Sequence, residues 1–96
     1  MLHTQYMIKE AQIINALKSG EFELTVHADE QMDARDVVFQ DIVHVGWNYS
    51  SIWWQDDKET WAVEGPDGKD RNLTVIVALE DDGTLIVSVI FYGEGP

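Results

Sequence analysis

His27, Arg35, Arg71 and Tyr92 are the residues of this sequence whose types suit the metal-free cleavage of a phosphodiester. That reaction needs a general base for the 2'-hydroxyl, a cation for the charge on the phosphorane, and an acid for the leaving oxygen. An imidazole ordinarily titrates near neutrality, so His27 suits either proton-transfer role. Arg35 and Arg71 are candidate phosphate cations, and Tyr92 is placed with Arg71 at adjacent ends of an expected hairpin. The same residues also have structural readings. His27 can fix a strand–helix junction by hydrogen bonding, Arg35 can ion-pair with its many acidic neighbours, and Tyr92 can be a core residue with its hydroxyl at the rim. Other chemistries have no support. The three histidines lack metal-ligand spacing, His27-Ala28-Asp29-Glu30 is not the His-Glu-x-x-His zinc signature, and Asp67–Asp70 is too short for a calcium loop. With no cysteine nucleophile, phosphate loop or Gly-x-Ser-x-Gly elbow, neither a cofactor nor a metal is expected.

The element that must position these groups runs from Thr25 to Arg35. At helical spacing, His27, Gln31 and Arg35 fall on one polar stripe, and Ala28 and Met32 form the buried stripe beside it. Thr25 or His27 stands where the helix begins, and a threonine hydroxyl there can satisfy an orphan amide. Asp29 and Glu30 then occupy the first turn, where the helix dipole favours negative charge.

The pattern His27-Ala28-x-x-Gln31-Met32-x-x-Arg35 resembles the His-Ala-x-x-Arg-Met-x-x-Arg signature of the domain-of-unknown-function family numbered 4258. That family is similar to small bacterial toxins of the RelE and BrnT kind, which are ribonucleases. The resemblance covers most of the chain, from the helix around Ile8 to Tyr92. It implies a compact RelE-like or barnase-like fold, and it carries the family's histidine onto His27 and its second arginine onto Arg35. Arg71 and Tyr92 are carried over by their strand positions. The family's first arginine is replaced here by Gln31, which removes one guanidinium.

Ahead of this stretch, a helix is predicted from about Tyr6 to Lys18. Met7, Ala11, Ile14 and Leu17 share its buried face with Ile13 beside them, Thr4 caps its start and Gly20 ends it. His3 reads as part of a solvated tail. Phe22–Val26 alternates as a half-buried strand. After a break at Asp36-Val37-Val38, a third helix is predicted over Phe39–Val45, with Ile42 and Val43 inward, Gly46 closing it and His44 on an exposed edge.

Beyond Gly46 the pattern is all strand. Ser51–Gln55 and Thr60–Glu64 read as a hairpin with Trp54 opposite Trp61 and Ile52 opposite Val63. Trp53 then faces the other way as a possible contact surface. Arg71–Leu79 and Thr84–Tyr92 form a second hairpin around Asp82-Gly83. Its register pairs Leu73 with Tyr92, Val75 with Ile90 and Val77 with Ser88, and sets Thr74, Ile76 and Ala78 against Phe91, Val89 and Val87. Both faces of this hairpin are apolar, so its strands belong in the middle of a sheet. A single helical layer covers one face and leaves the other for loops, a ligand or a second subunit. The expected class is α+β, with a helix, a short strand, two short helices and two antiparallel hairpins, the helices on one face of a largely antiparallel sheet.

Ninety-six residues, 45% hydrophobic and 10% aromatic, suit one domain over residues 1–96 with a modest core. The chain has no cysteine, no apolar run of membrane-spanning length and no basic, apolar leader, so a cytoplasmic protein away from membranes is the expectation. Eighteen acidic residues against six basic ones give a net charge of -12. Affinity for nucleic acid is built largely from Lys and Arg contacts to phosphate, so this balance disfavours RNA and points to a protein partner with a basic surface. Two functional expectations follow. One is a toxin-like, metal-independent ribonuclease or a weakened relative, with His27, Arg35 and Arg71 converging in one cleft. The other is a catalytically silent acidic interaction module, possible also as a homodimer, in which those groups are dispersed or consumed by carboxylates.

Overall fold

The computed structural model describes the backbone from Leu2 to Tyr92 and side chains from Ile8 onward. Its elements are α1 (Leu2–Ser19), β1 (Phe22–Leu24), α2 (Val26–Arg35), α3 (Phe39–Asn48), β2 (Ser51–Gln55), β3 (Thr60–Pro66), β4 (Asn72–Leu79) and β5 (Leu85–Tyr92). The fold is α+β. Five strands form one mixed sheet in the order β1-β5-β4-β3-β2, with β1 parallel to β5 and every other pair antiparallel. The helices pack on one side: α3 lies on β3, α2 on β5, and α1 stacks outside α3.

Ile13, Ile14 and Leu17 from α1, Ala28 and Met32 from α2, and Ile42 and Val45 from α3 are buried over a sheet face of Val63, Leu73, Val75, Val77, Leu85, Val87 and Ile90. Both hairpins turn where the residue types require. The first pairs Ile52 with Val63 and Trp54 with Trp61, whose rings meet edge to face at 5.4 Å. Gly20, with φ 78°, ends α1, a conformation that glycine adopts without a Cβ penalty.

Several expectations are corrected. The first helix starts at Leu2, so Thr4 lies inside it; Met7 falls outside the described side chains, and Ala11 is exposed. The strand after it stops at Leu24, and Val26 is the first residue of α2, 77% exposed and not on the core face. Thr25 is taken instead as the N-cap: its hydroxyl accepts from the Ala28 amide at 3.0 Å, which ends the extended backbone there. The third helix runs through Gly46 to Asn48. Gly46 does not terminate it but lets α1 approach, since a Cβ there would stand 2.7 Å from Leu17 Cβ and 2.9 Å from the Lys18 amide nitrogen.

In the second hairpin Leu73 pairs with Tyr92 and Val75 with Ile90, but Val77 pairs with Val87 and Ala78 with Ile86. A bulge at Ser88 absorbs one residue of β5. Without it Ser88 would face the core and the remaining alternation would place Leu85 and Val87 outward; with it Leu85, Val87 and Ile90 are all 0% exposed.

The second sheet face carries Trp53, Ala62, Thr74, Ile76, Ala78, Ile86, Val89 and Phe91. Ala62, Thr74 and Ile76 are buried in the middle of this face, and the other five are half-buried. Gly46→Ala tests the α1–α3 contact. The clash is with backbone and a Cβ, which cannot swing aside, so overpacking should outweigh the gain in helix propensity and cost about 1 to 2 kcal/mol. A lower urea midpoint with unchanged slope is the expected result.

Candidate functional site

Three of the four candidate residues, Arg35, Arg71 and Tyr92, meet around the C-terminal end of α2. α2 lies along β5 beyond the short β1, where no described strand pairs with the edge of β5. The Thr25 backbone and two side chains take over that role. The Thr25 amide donates to the Val87 carbonyl at 3.0 Å, the Thr25 hydroxyl to the Ser88 carbonyl at 3.3 Å, and the Ile90 amide donates to Gln31 Oε1 at 2.8 Å. At the far end the Tyr92 hydroxyl donates to the Arg35 carbonyl. Gln31, the polar stripe's central residue, is therefore bonded to sheet backbone.

Past Arg35 the helix ends on Asp36, in the left-handed region at φ 55° and ψ 47°. Its last carbonyls, Arg35 and Asp36, accept from Arg71 Nη1 at 3.2 Å and Nη2 at 3.1 Å. A guanidinium at a helix C-terminus is favoured by the dipole as well as by the hydrogen bonds. The same guanidinium donates through Nε to Asp67 Oδ2 at 2.7 Å and stands 3.6 Å from Asp41 Oδ2. Its Cζ lies 4.6 Å from the centroid of the Tyr92 ring. Arg71 and Tyr92 thus meet, as their shared strand face requires.

Two buried carboxylates hold this corner. Asp67, 1% exposed, accepts from the Lys69 and Arg71 amides at 2.8 and 3.2 Å through Oδ1. Asp41, 4% exposed, accepts from the Val38 amide at 2.9 Å and from Lys69 Nζ at 3.1 Å, so it caps α3 and ties it to the β3–β4 loop. Burial alone would raise the Asp67 carboxyl, but the Lys69 amide, the Arg71 side-chain bond and the Arg71 amide together hold it below the usual carboxylate range. Burial likewise opposes the charge on Arg71, and the bond to Asp67 outweighs it, keeping the guanidinium a firm cation. Tyr92 is raised, chiefly by burial, against the lowering effect of the Arg71 charge.

His27 stands apart from this corner. It is exposed in the first turn of α2, eight residues before Arg35 and roughly 12 Å away along the axis at about 1.5 Å per residue. The structure brings Arg71, Tyr92 and the backbone of Arg35 together, and leaves His27 at the other end of the helix.

A cleft of about 640 Å³ opens between α3 and the β3–β4 loop, walled by Val38, Val43, His44, Trp47, Asp67 and Lys69. His44 is not simply an exposed edge residue: it is half-buried, and its Nδ1 donates to the Pro66 carbonyl at 3.0 Å. Trp47 is 63% exposed, with Lys18 Nζ 4.8 Å from its ring. Asp41 and Asp67 escaped the sequence reading because acidic pairs carry no signal in so acidic a chain. The usable signals were local: Asp41 falls in the first turn of the third helix, where a carboxylate can accept from the N-cap amide, and Asp67-x-Lys69-x-Arg71 places an Asx turn before an alternate cation. Among the described residues no cluster of His, Cys, Asp and Glu is arranged to hold a metal ion.

The arrangement at residues 24–91 coincides with a family model, DUF4258, a domain of unknown function, which matches that span. The chain belongs to the DUF4258 family. No curated protein and no solved structure matches it. In this DUF4258 domain the matched span starts at the end of β1 and closes in β5, so it includes α2, Asp41, Asp67 and Arg71 but leaves out α1 and Tyr92.

The depressed Asp67 carboxyl makes stability depend on pH with a definite sign. Its contribution is fully present above the unfolded carboxylate value of about 3.9 and is lost as pH falls through that value toward the lower folded one. Urea midpoints measured from neutral pH into acid should fall more steeply for the wild type than for Asp67→Asn, which is less stable at neutral pH and converges with the wild type in acid.

Proposed function

We propose that this DUF4258 domain is a catalytically silent interaction module that uses its acidic surface to meet a basic protein partner. The observation that carries the reading is the state of Arg71. Its guanidinium is occupied by Asp67, Asp41 and the last carbonyls of α2, so the group best placed to meet a phosphate already has its charge answered. The remaining members of the ribonuclease proposal do not complete a site around it. The Tyr92 hydroxyl is bonded to the Arg35 carbonyl, Gln31 replaces a cation, and His27 lies a helix's length from Arg71. A net charge of -12 adds a long-range repulsion to any polyanion and an attraction to any polycation.

A toxin-like ribonuclease built on His27, Arg35, Arg71 and Tyr92 is the competing proposal, and one assay separates the two. Purified protein incubated with mixed-sequence RNA and a chelator should give no cleavage above buffer, and His27→Ala and Arg35→Ala should be indistinguishable from it. Cleavage lost in both variants would overturn the interaction reading. Cleavage equal in all three would be a contaminant's.

A further inference from the structure

The two edges of the sheet are treated differently. β5, where β1 no longer covers it, is closed by Thr25 at the start of α2 and by Gln31 within it. β2 forms the opposite edge, pairs only with β3, and no described strand lies on its outer side. Edge strands are commonly guarded by lysine, proline, a bulge or a covering element, because their unpaired backbone groups template another strand. Ser51-Ile52-Trp53-Trp54-Gln55 has no charge and no proline, and its pairing with β3 is regular throughout. The side chains are also held in place. Trp54 Nε1 donates to Asp56 Oδ1 at 2.6 Å, and the Thr60 hydroxyl to Gln55 Oε1 at 3.1 Å.

The surroundings define what fits this edge. The turn that ends β2 carries Asp56, Asp57 and Glu59 against Lys58, all exposed, and Glu64 stands opposite Ser51 across the hairpin. Three of the protein's six cations are drawn elsewhere: Lys69 and Arg71 to Asp41 and Asp67, Lys18 to Trp47. The half-buried indole of Trp53 sits on the open face of the sheet, where the side chains of an added strand would lie beside it.

We infer that β2 is a docking edge for an extended basic segment of a partner protein, which adds as a sixth strand and alternates apolar residues with Lys or Arg. Backbone pairing supplies the register, apolar side chains extend the face of Trp53, and the alternate cations answer the turn carboxylates. A second copy of this chain fits the edge less well, because each copy brings a net charge of -12. The inference rests on the interaction-module reading and names its surface.

A synthetic peptide alternating lysine with valine tests it with the full chain. The peptide should bind, and affinity should fall as salt rises from about 0.01 to about 1 M, where the screening length shrinks from roughly 30 Å to roughly 3 Å. N-methylation of alternate peptide amides keeps the charge but removes strand pairing, and should weaken binding at least roughly tenfold. Amide exchange should slow within Ser51–Gln55, and Trp53→Lys should weaken binding by a similar factor with an unchanged circular dichroism spectrum. Binding indifferent to N-methylation, or protection elsewhere, would overturn the β2 assignment and leave the interaction module standing. No binding at any salt would overturn both. Self-association through β2 that strengthens with salt, seen by sedimentation, would give the edge to a second copy and overturn the basic-strand inference.

Discussion

A single guanidinium ties together four segments of this molecule that are distant in sequence. Arg71, at the entry to β4, satisfies the carbonyls that end α2, neutralises the buried Asp67, approaches the carboxylate that caps α3, and lies on the ring that ends β5. Each of those groups needs an answer. Helix-end carbonyls have no intrahelical partner, and buried carboxylates are tolerated only when paired and hydrogen-bonded. One planar cation with five donors meets these needs at once, which a lysine's point charge would not. The orientation of α2 along β5, and of α3 against the β3–β4 loop, depends on this corner.

The corner also explains why residue types suited to phosphate chemistry coexist with so acidic a surface. Arg71 and Lys69 face Asp67 and Asp41, two cations against two carboxylates beside a neutral tyrosine, and little of that charge is left for a ligand. Polar stripe residues are similarly spent on architecture: Gln31 supplies the acceptor that the Ile90 amide would otherwise find on a neighbouring strand. The sheet is thus finished by side chains on one edge and unguarded on the other, an asymmetry that suits a module completed by its partner.

Much of the fold was legible in the residues. Alternation located the strands and which residues of the first hairpin share the buried face, and the even-numbered turn between them set Trp54 opposite Trp61 and Ile52 opposite Val63. The Ala28–Met32 stripe beside His27, Gln31 and Arg35 followed from helical spacing. The register of the second hairpin was legible only as far as Ile76. Beyond it a bulge at Ser88 moved the pairing by one residue, and no local pattern marks a bulge when both faces of a strand are apolar. Gly46 misled for a related reason: a glycine near a helix end reads as a terminator, and its use as a contact point becomes visible only once α1 lies across it.

For the candidate site the division is sharper. The sequence by itself determined the charge balance, the element types and the family signature around His27 and Arg35, all of which depend on neighbours along the chain. Only the tertiary structure decided which charges cancel. Asp41, Asp67 and Arg71 are ordinary surface residue types in a chain with eighteen acids, and what makes them a unit is burial at the meeting point of α2, α3 and β4. Burial raises the cost of an unpaired charge and so selects one pairing among many. That selection depends on which segments are brought together in space, a long-range outcome of packing that residue order does not spell out.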